Sequence, residues 1–434
     1  MFGTRAPPWF GPSPPLSRVS DVIVAIRPGV TGGKARTSQP GDNGWRYESP
    51  DNRLMVEAVG YQVAATHFEA WNELLGRVIE PNVFLEPCFV LPAVQHFALA
   101  RRPAFLLVWD EKDGERDRLV GLCPVMLPRR PFGGSMARAW MHEQAALGTP
   151  LIDRARAIET LDLMLDWLRR ENPGIHGLMF PKLRRDGPVL ALLRNRAILT
   201  GRELRLFGEH ERAMLSGGAQ GESAMAHALS PKKLKELRRQ RRRLADSGKL
   251  VFASARSPEE VRAAAEKFLV MEAAGWKGQR GTALLADPAL TTFTRTMTRL
   301  LARDGKCRID TLDVGGKPAA MGIILESGGY AYLWKIAYDE SLAVTSPGVQ
   351  LVMDLTRVQL ADEGIVFTDS CAIPRHPMID HVWRERLPIT DALVAARPDS
   401  SRSFAITAAI EASRRRLREI AKTLYNRARK RKAS

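Results

Sequence analysis

The sequence predicts a mixed α/β (α+β) fold of two tandem halves, each a mixed, mostly antiparallel sheet flanked by helices. Its 434 residues, of which 45% are hydrophobic, are enough for two cores of ordinary size. The order strand, strand, helix, strand occurs twice along the chain, and a weakly patterned stretch at residues 216–228 separates the two copies. We therefore expect an internal duplication, with an N-terminal half at residues 55–215 and a C-terminal half at residues 229–395.

Hydrophobic periodicity defines the elements of the first half. Two helices are expected, one from Trp71 to Val78 and one over residues 94–99. A helix with Ile158, Leu161, Leu165 and Leu168 on one face follows later. The strands of this half are predicted at residues 105–109, 119–127, 139–143 and 175–180.

The second half repeats the pattern. Its helix carries Leu351, Val352, Leu355 and Val358 at helical spacing. Its strands are predicted at residues 307–312, 319–325, 331–336 and 365–369.

Residues 1–50 differ from the rest of the chain in composition. They combine Pro-rich and Gly-rich pieces with little periodicity, so they hold too little apolar surface to offset the entropy of ordering. We expect a disordered leader whose removal leaves the fold intact.

The net charge of +17 and the pI of about 10.1 favour anionic partners: nucleic acid, acidic lipid or a phosphorylated cofactor. Part of this charge lies in residues 230–244, a helix that Ser230 can cap with Pro231 in the first position. This helix is either a solvated surface helix packed by its leucines or a contact for an anion.

Residues 402–434 are predicted to form a basic amphipathic helix. Arginines and lysines surround Ile406, Ile410, Leu417, Ile420 and Leu424, which recur at helical spacing. Three interpretations stay open: a helix docked on the enzyme, an interfacial helix on anionic membrane, and a nucleic-acid-binding arm. We favour them in that order, with nucleic acid last.

No apolar run reaches the roughly 20 residues that span a bilayer, and no secretory signal is evident, so we expect a cytoplasmic protein, with possible placement at the inner face of the membrane. Cys88, Cys123, Cys307 and Cys371 are far apart, without a C-x-x-C pair. We expect free thiols and no metal.

Four ordered blocks in the second half carry a resemblance. The blocks are Glu272–Gly278 with Gly281–Ala283, Gly316–Ala320, Trp334–Glu340, and Ser346–Gly348, and Asp369, His376 and Trp383 follow them. Together they resemble the CelD/BcsL-type acetyltransferases of cellulose biosynthesis, within the GNAT superfamily. The duplicated arrangement is similar to that of the FemAB peptidyltransferases.

The resemblance implies that acyl-CoA, most simply acetyl-CoA, is the co-substrate and that its pyrophosphate lies on the loop and helix after the fourth strand. Those residues are Ser346, Gly348 and Val349 here. The residue types at Ser346, Pro347 and Gly348 also suit this role. Ser can cap the helix, Pro suits its first turn, and Gly leaves the backbone N–H groups open to a phosphate. The usual Arg/Gln-x-x-Gly-x-Gly/Ala cradle is missing. Since the first half lacks Ser-Pro-Gly, we expect the second copy to be the active one.

Acyl transfer needs a base for the acceptor proton and an acid for the departing thiolate. We predict Asp369 as the base, projecting into the cleft, with His376 as alternative or helper. Tyr338 is predicted to protonate the thiolate and Asp339 to orient the acceptor. The substrate-binding walls are predicted to be Trp276, Lys277, Trp334, Lys335 and Trp383.

The sequence thus predicts an acyltransferase that moves an acyl group, most simply acetyl, from acyl-CoA to an amine or hydroxyl acceptor, such as a sugar of a surface polysaccharide. Two alternatives stay open. One is a FemAB-like transferase that takes an aminoacyl group from tRNA. The other is a non-catalytic scaffold that binds membrane or RNA through its basic segments.

Overall fold

A computed structural model describes residues 45–48, 53–98, 102–113, 115–128, 135–398 and 402–431, with side chains described within 53–425. Residues 1–44 of the predicted leader lie outside this range. Trp45–Glu48 form a strand that pairs with Leu54–Val59, so the prediction of a leader reaching residue 50 is wrong at its end.

The described strands form one 14-stranded sheet. Their order in it is β1-β2-β3-β4-β5-β7-β14-β8-β13-β12-β11-β10-β9, and β6 pairs with β4. The strands are β1 (Trp45–Glu48), β2 (Leu54–Val59), β3 (Ala104–Lys112), β4 (Glu115–Met126), β5 (Ser135–Ala139), β6 (Leu151–Ile152), β7 (Ile175–Arg184), β8 (Leu204–Ser216), β9 (Leu250–Ala255), β10 (Cys307–Val314), β11 (Lys317–Ser327), β12 (Tyr330–Tyr338), β13 (Phe367–Asp369) and β14 (Glu385–Ala395).

Helices flank this sheet. Many begin at a proline in the first turn, as Pro258 does after Ser257, whose hydroxyl closes a capping box with Glu260. The helices are α1 (Tyr61–Thr66), α2 (Phe68–Leu75), α3 (Pro87–Phe97), α4 (Ala157–Glu171), α5 (Pro188–Thr200), α6 (Gly218–Ala228), α7 (Pro231–Ala245), α8 (Pro258–Ala274), α9 (Trp276–Gln279), α10 (Pro288–Arg303), α11 (Pro347–Ala361) and α12 (Arg402–Arg431). Within the described part of the chain, no helix is both long and apolar enough to cross a membrane.

Counted from β2 at one end of the sheet and from β9 at the other, the strands pair in the same pattern. In the first half, β2, β3, β4 and β5 pair antiparallel in turn, and β5 pairs parallel with β7. In the second half, β9, β10, β11 and β12 pair antiparallel, and β12 pairs parallel with β13. A helix, α4 or α11, connects the two parallel strands in each half. The predicted fold class, a mixed sheet in two tandem halves, is confirmed.

The two halves exchange their last strands. β14, from the end of the second half, lies between β7 and β8, while β8, from the end of the first half, lies between β14 and β13. Accordingly Ala392 and Val394 of β14 join the core of the first half, and Ala213 and Leu215 of β8 join that of the second. The halves predicted at residues 55–215 and 229–395 therefore share an order of strands and helices, and each contributes its last strand beside the other's part of the sheet.

Some predicted elements are shifted. The strand expected at residues 139–143 lies at Ser135–Ala139, and the following residues form a loop that reaches the second half. The stretch 216–228, which lacks clear periodicity, contains α6. The repeated strands of the second half, β10 to β12, include all three predicted ranges.

Candidate functional site

A cavity lies where β12 and β13 cease to pair. Their parallel pairing covers only Tyr330 to Tyr332 on β12, although β12 continues to Tyr338. The cavity, of about 570 Å³, fills the gap beyond this pairing. It is lined by Trp276, Lys277, Leu333, Trp334, Lys335, Ile336, Tyr338, Ala343, Ser346, Pro347, Gly348, Val349, Ser370, Cys371, Ala372, His376, Pro377, Met378 and Ile379.

Helix α11 begins at this cavity. Pro347 is in its first turn, and Ser346 before it is in the left-handed region with φ 53°. The Ser346 side chain makes no capping hydrogen bond, so the prediction that it caps is wrong. In this conformation its carbonyl instead accepts the N–H groups of Val349 and Gln350 at 3.0 and 3.1 Å.

Gly348 fits a tight space at the same helix start. A Cβ atom there would lie 3.2 Å from the Met378 sulfur and 3.4 Å from Cδ1 of Tyr338. Since the Ser346 carbonyl already accepts the N–H groups of Val349 and Gln350, the helix start offers an anion the N–H of Gly348, and the helix dipole favours negative charge. Ser346, Gly348 and Val349 thus line the cavity together at a helix start that suits an anionic group.

Lys335 lines the cavity and has a pKa well below that of an ordinary lysine. Burial, and secondarily the charge of Lys277, lower its pKa to about 8. Lys277 is held by Glu272, with 2.6 Å between its Nζ and Oε1. The Lys335 ammonium lies 5.2 Å from the ring centroid of Trp334, whose Nε1 donates to the Gln144 carbonyl at 2.8 Å. A residue of the first half thereby holds one side chain of the cavity wall in place.

His376 lines the cavity with one ring nitrogen already engaged. Its Nδ1 accepts the backbone N–H groups of Met378 and Ile379 at 3.3 and 3.4 Å. Burial lowers its pKa, so the ring is neutral at pH 7 and carries its proton on Nε2. The ring therefore offers the cavity a hydrogen-bond donor and has no free lone pair with which to act as a base.

Asp369 does not project into the cleft, contrary to the prediction. It is fully buried, its Oδ2 accepts a hydrogen bond from Nη2 of Arg212, and its Oδ1 accepts the N–H of Cys371 at 2.8 Å. Arg212 lies on β8, the exchanged strand, and also donates to the Ala146 carbonyl at 3.2 Å. The buried guanidinium is the physical reason for the inward orientation, because a buried charge requires a partner.

Two further predicted residues lie outside the cavity. Trp383 is fully buried and its Nε1 donates to Oγ1 of Thr356 at 2.9 Å, so it is a core residue and not a pocket wall. The Asp339 carboxylate accepts the N–H and hydroxyl of Ser341 at 2.9 and 2.7 Å, which caps the short helix Glu340–Thr345.

Tyr338 stands between two cavities. Besides the first, it lines a second cavity of about 750 Å³ that also contains Asp339. Trp276, 44% exposed, borders the first cavity, and its backbone N–H donates to Oε1 of Glu340 at 2.6 Å. The second cavity is lined by Glu266, Lys267, Val270, Met271, Ala274, Gly275, Gly316, Pro318, Tyr338, Asp339, Glu340 and Ser341.

Sequence reasoning missed several residues of the site. Cys371 lines the cavity in the left-handed region with φ 51°, and burial, together with Asp369, raises the pKa of its thiol. Arg212 and Gln144 come from the first half, and no local pattern marks them. The only signal available for Cys371 was its place directly after the strand that ends at Asp369.

Comparisons with known proteins found one matching family model. Residues 231–369, less than half of the chain, match the family model described as an acetyltransferase (GNAT) domain. No significant match was found among curated protein sequences.

This chain is similar to several solved structures at low sequence identity, of which three follow. The C-terminal domain (DUF2156) of a putative lysylphosphatidylglycerol synthetase from Agrobacterium fabrum is 12% identical with a TM-score of 0.45, covering 80% of this chain and 96% of that one. FemX is 10% identical with a TM-score of 0.46, covering 75% and 95%. A tandem GNAT protein from the clavulanic acid biosynthesis pathway is 15% identical with a TM-score of 0.35, covering 80% and 100%.

Proposed function

We propose that this protein transfers an acyl group, most simply acetyl, from acyl-CoA to an amine or hydroxyl acceptor, and that the site in the second half performs the reaction. One observation carries the proposal. The cavity lies between two diverging parallel strands and ends at the N-terminus of α11, and its lining from β12 and α11 belongs to the segment that matches a GNAT acetyltransferase domain.

The proposed donor site uses the N–H of Gly348 and the positive end of α11 for the pyrophosphate of acyl-CoA, and Val349 lines the cavity beside them. Gly348 lets a phosphate approach the backbone, and the helix dipole favours its charge. Helix α7 packs beside α11, since Gln350 donates to the Leu237 carbonyl at 3.0 Å and Arg241 pairs with Asp354 at 2.9 Å. The exposed cations of α7 raise the local concentration of an anionic substrate. They are Lys232, Lys233, Lys235, Arg238, Arg239, Arg242 and Arg243.

We assign the base to Lys335. With a pKa of about 8, roughly a tenth of its side chains are neutral at pH 7, and a neutral amine can take the proton of the attacking acceptor. The Nε2–H of His376 can donate to the oxygen that becomes negative as the acceptor adds to the thioester carbonyl. Asp369 is then a positioning residue, because it holds the backbone of Cys371 and the guanidinium of Arg212.

Tyr338 suits the role of acid for the departing thiolate. It lines both cavities, so donor and acceptor can approach it from opposite sides. The thiolate takes the Tyr338 proton as the bond between sulfur and the acyl carbon breaks, and the tyrosine regains a proton from solvent. The loss of that bond and the formation of the new amide or ester complete the transfer.

The first experiment measures binding of acetyl-CoA and longer acyl-CoAs by calorimetry and thermal shift. A ligand at 100 times its dissociation constant raises the free energy of unfolding by about 2.7 kcal/mol. Gly348→Glu is expected to weaken this binding at least about tenfold, because it places a side chain and a negative charge at the helix start.

Gly60→Glu is the matched control. Gly60 precedes α1 with φ −70°, and a Cβ there meets nothing within 4 Å. The same charge at another helix start should leave acyl-CoA binding unchanged. If no acyl-CoA binds at millimolar concentration, the proposed donor is wrong.

The exposed cations of α7 also favour a second donor, an aminoacyl-tRNA. Transfer assays with both donors decide between them: retained tRNA and tRNA-dependent transfer, without binding of acyl-CoA, would support the second.

The four sequence blocks also lead us to propose the CelD/BcsL type, with a polysaccharide sugar among the acceptors to be tested.

A further inference from the structure

Helix α12 has two faces of unlike chemistry, and the inner one is fixed to the protein. Phe404, Thr407 and Glu411 are at most 2% exposed. Arg415 pairs with Asp391 of β14 at 2.7 Å. Residues 404–415 of the helix are therefore held against the protein, and the helix continues from there with side chains that are all exposed from residue 416 to residue 425.

The outer face of α12 is aliphatic. At 100° per residue, its five members point within about 40° of one direction, and the inner face points roughly opposite. The side chains are about half or more exposed along roughly 27 Å of helix. They are Ile406 (52%), Ile410 (49%), Leu417 (66%), Ile420 (50%) and Leu424 (58%).

Cations border this aliphatic face on both sides. Arg414 and Arg416 lie about 80° to either side of it by helical geometry, and both are exposed, as are Arg418 and Lys422. Beyond the described side chains, the sequence continues with Arg427, Arg429, Lys430, Arg431 and Lys432.

We propose that the outer face of α12 binds the headgroup–acyl boundary of a bilayer rich in anionic lipid, with the helix lying in the plane of the membrane. Aliphatic side chains enter the acyl region, while the flanking arginines and lysines meet the lipid phosphates. This inference goes beyond the proposed acyl transfer and does not depend on it. Because the helix is already docked, binding costs no ordering of a disordered segment.

Two other occupants fit the surface less well. RNA would engage the cations, but it offers no partner for five aligned aliphatic side chains. A second copy of the chain could cover the aliphatic face, but the cationic borders of the two helices would then face each other, and like charges repel. The combination of aliphatic stripe and cationic borders favours the membrane.

The experiment is flotation of the full-length protein with vesicles of phosphatidylcholine alone or with about one-third phosphatidylglycerol. We expect binding to the anionic vesicles, weakened by salt, and little to the neutral ones. Combined Leu417→Ser, Ile420→Ser and Leu424→Ser should lower the partition coefficient at least about tenfold. Combined Arg414→Gln and Arg416→Gln, one on each border of the aliphatic face, should lower it about 30-fold on anionic vesicles alone.

The matched control is Ile198→Ser with Leu199→Ser on α5, where both side chains are exposed, 80% and 73%. It removes exposed aliphatic surface elsewhere and should leave vesicle binding unchanged. Circular dichroism and the unfolding midpoint of each variant verify that the fold is kept.

Three results would overturn the proposal. The first is a wild-type protein that does not float with anionic vesicles. The second is binding that the serine variant retains while RNA binding depends on the same cations, which would identify a nucleic-acid arm. The third is a concentration-dependent dimer in sedimentation without lipid that the serine variant abolishes, which would identify a second copy as the occupant.

Discussion

Lys335 gives the sharpest test of the proposed chemistry, because its pKa sets how much of it can act as a base. An ordinary lysine with a pKa of 10.5 is about 0.1% neutral at pH 7.5, whereas a pKa of about 8 makes about a quarter neutral. At pH 7.5 the neutral fraction of Lys335 is thus roughly 250 times that of an ordinary lysine. We expect the turnover rate to rise with pH and level off above about pH 8.

Lys335→Met is expected to lower turnover by about 10² to 10⁴ and to remove this rise, while acyl-CoA affinity changes little. Lys317→Met, on the exposed start of β11, is the control and should behave as wild type. The assay is release of free CoA thiol across pH 6 to 9.5. A Lys335→Met variant with turnover within a few-fold of wild type and the same pH profile would refute the assignment.

The lowered pKa of Lys335 also has a consequence for stability that needs no substrate. Between pH 8 and 10.5 the unfolded chain keeps the lysine proton and the folded one has lost it. The unfolded state then binds more protons, so this group makes the free energy of unfolding increase with pH across that window. Lys335→Met should remove that increase, as measured by urea unfolding at several pH values.

Three further outcomes are expected. Asp369→Asn leaves Arg212 buried without its counter-charge and should cost about 3–5 kcal/mol in urea unfolding; a cost below 1 kcal/mol would contradict the buried pair. His376→Ala should lower turnover about 10²-fold without shifting the kinetic pKa near 8, and a lost pH dependence would instead make His376 the base. Removal of residues 1–44 should leave the unfolding midpoint unchanged, since their composition holds too little apolar surface to join a core; a large drop would show a structural role.

Periodicity predicted what depends on local sequence. Leu161, Leu165 and Leu168 of α4 are buried at the helical spacing that predicted them, and β10 to β12 lie where runs of apolar residues suggested. The blocks around Trp334 and Gly348 do meet in one cavity, because both belong to elements adjacent in sequence.

Long-range pairing explains what the sequence did not predict. Asp369 was correctly expected at the end of a strand, but its orientation depends on Arg212, 157 positions earlier in the chain. Arg212 lies on β8, whose many charged residues hide it from a search for alternating apolar ones. Ser346 was expected to cap because of its residue type, yet its left-handed backbone turns the carbonyl toward the helix instead.

The exchanged strands also constrain how the chain can be made. β7 and β8 are close in sequence, but β14 separates them in the sheet, and β14 begins at residue 385, long after β7 has ended at residue 184 and left the ribosome. Until residues 385–395 emerge, the edge of β7 has no native partner, and an unpaired edge is a site of aggregation. The first half cannot complete its folding during its own synthesis, so nascent chains stalled before residue 385 should depend on chaperones far more than the finished protein does.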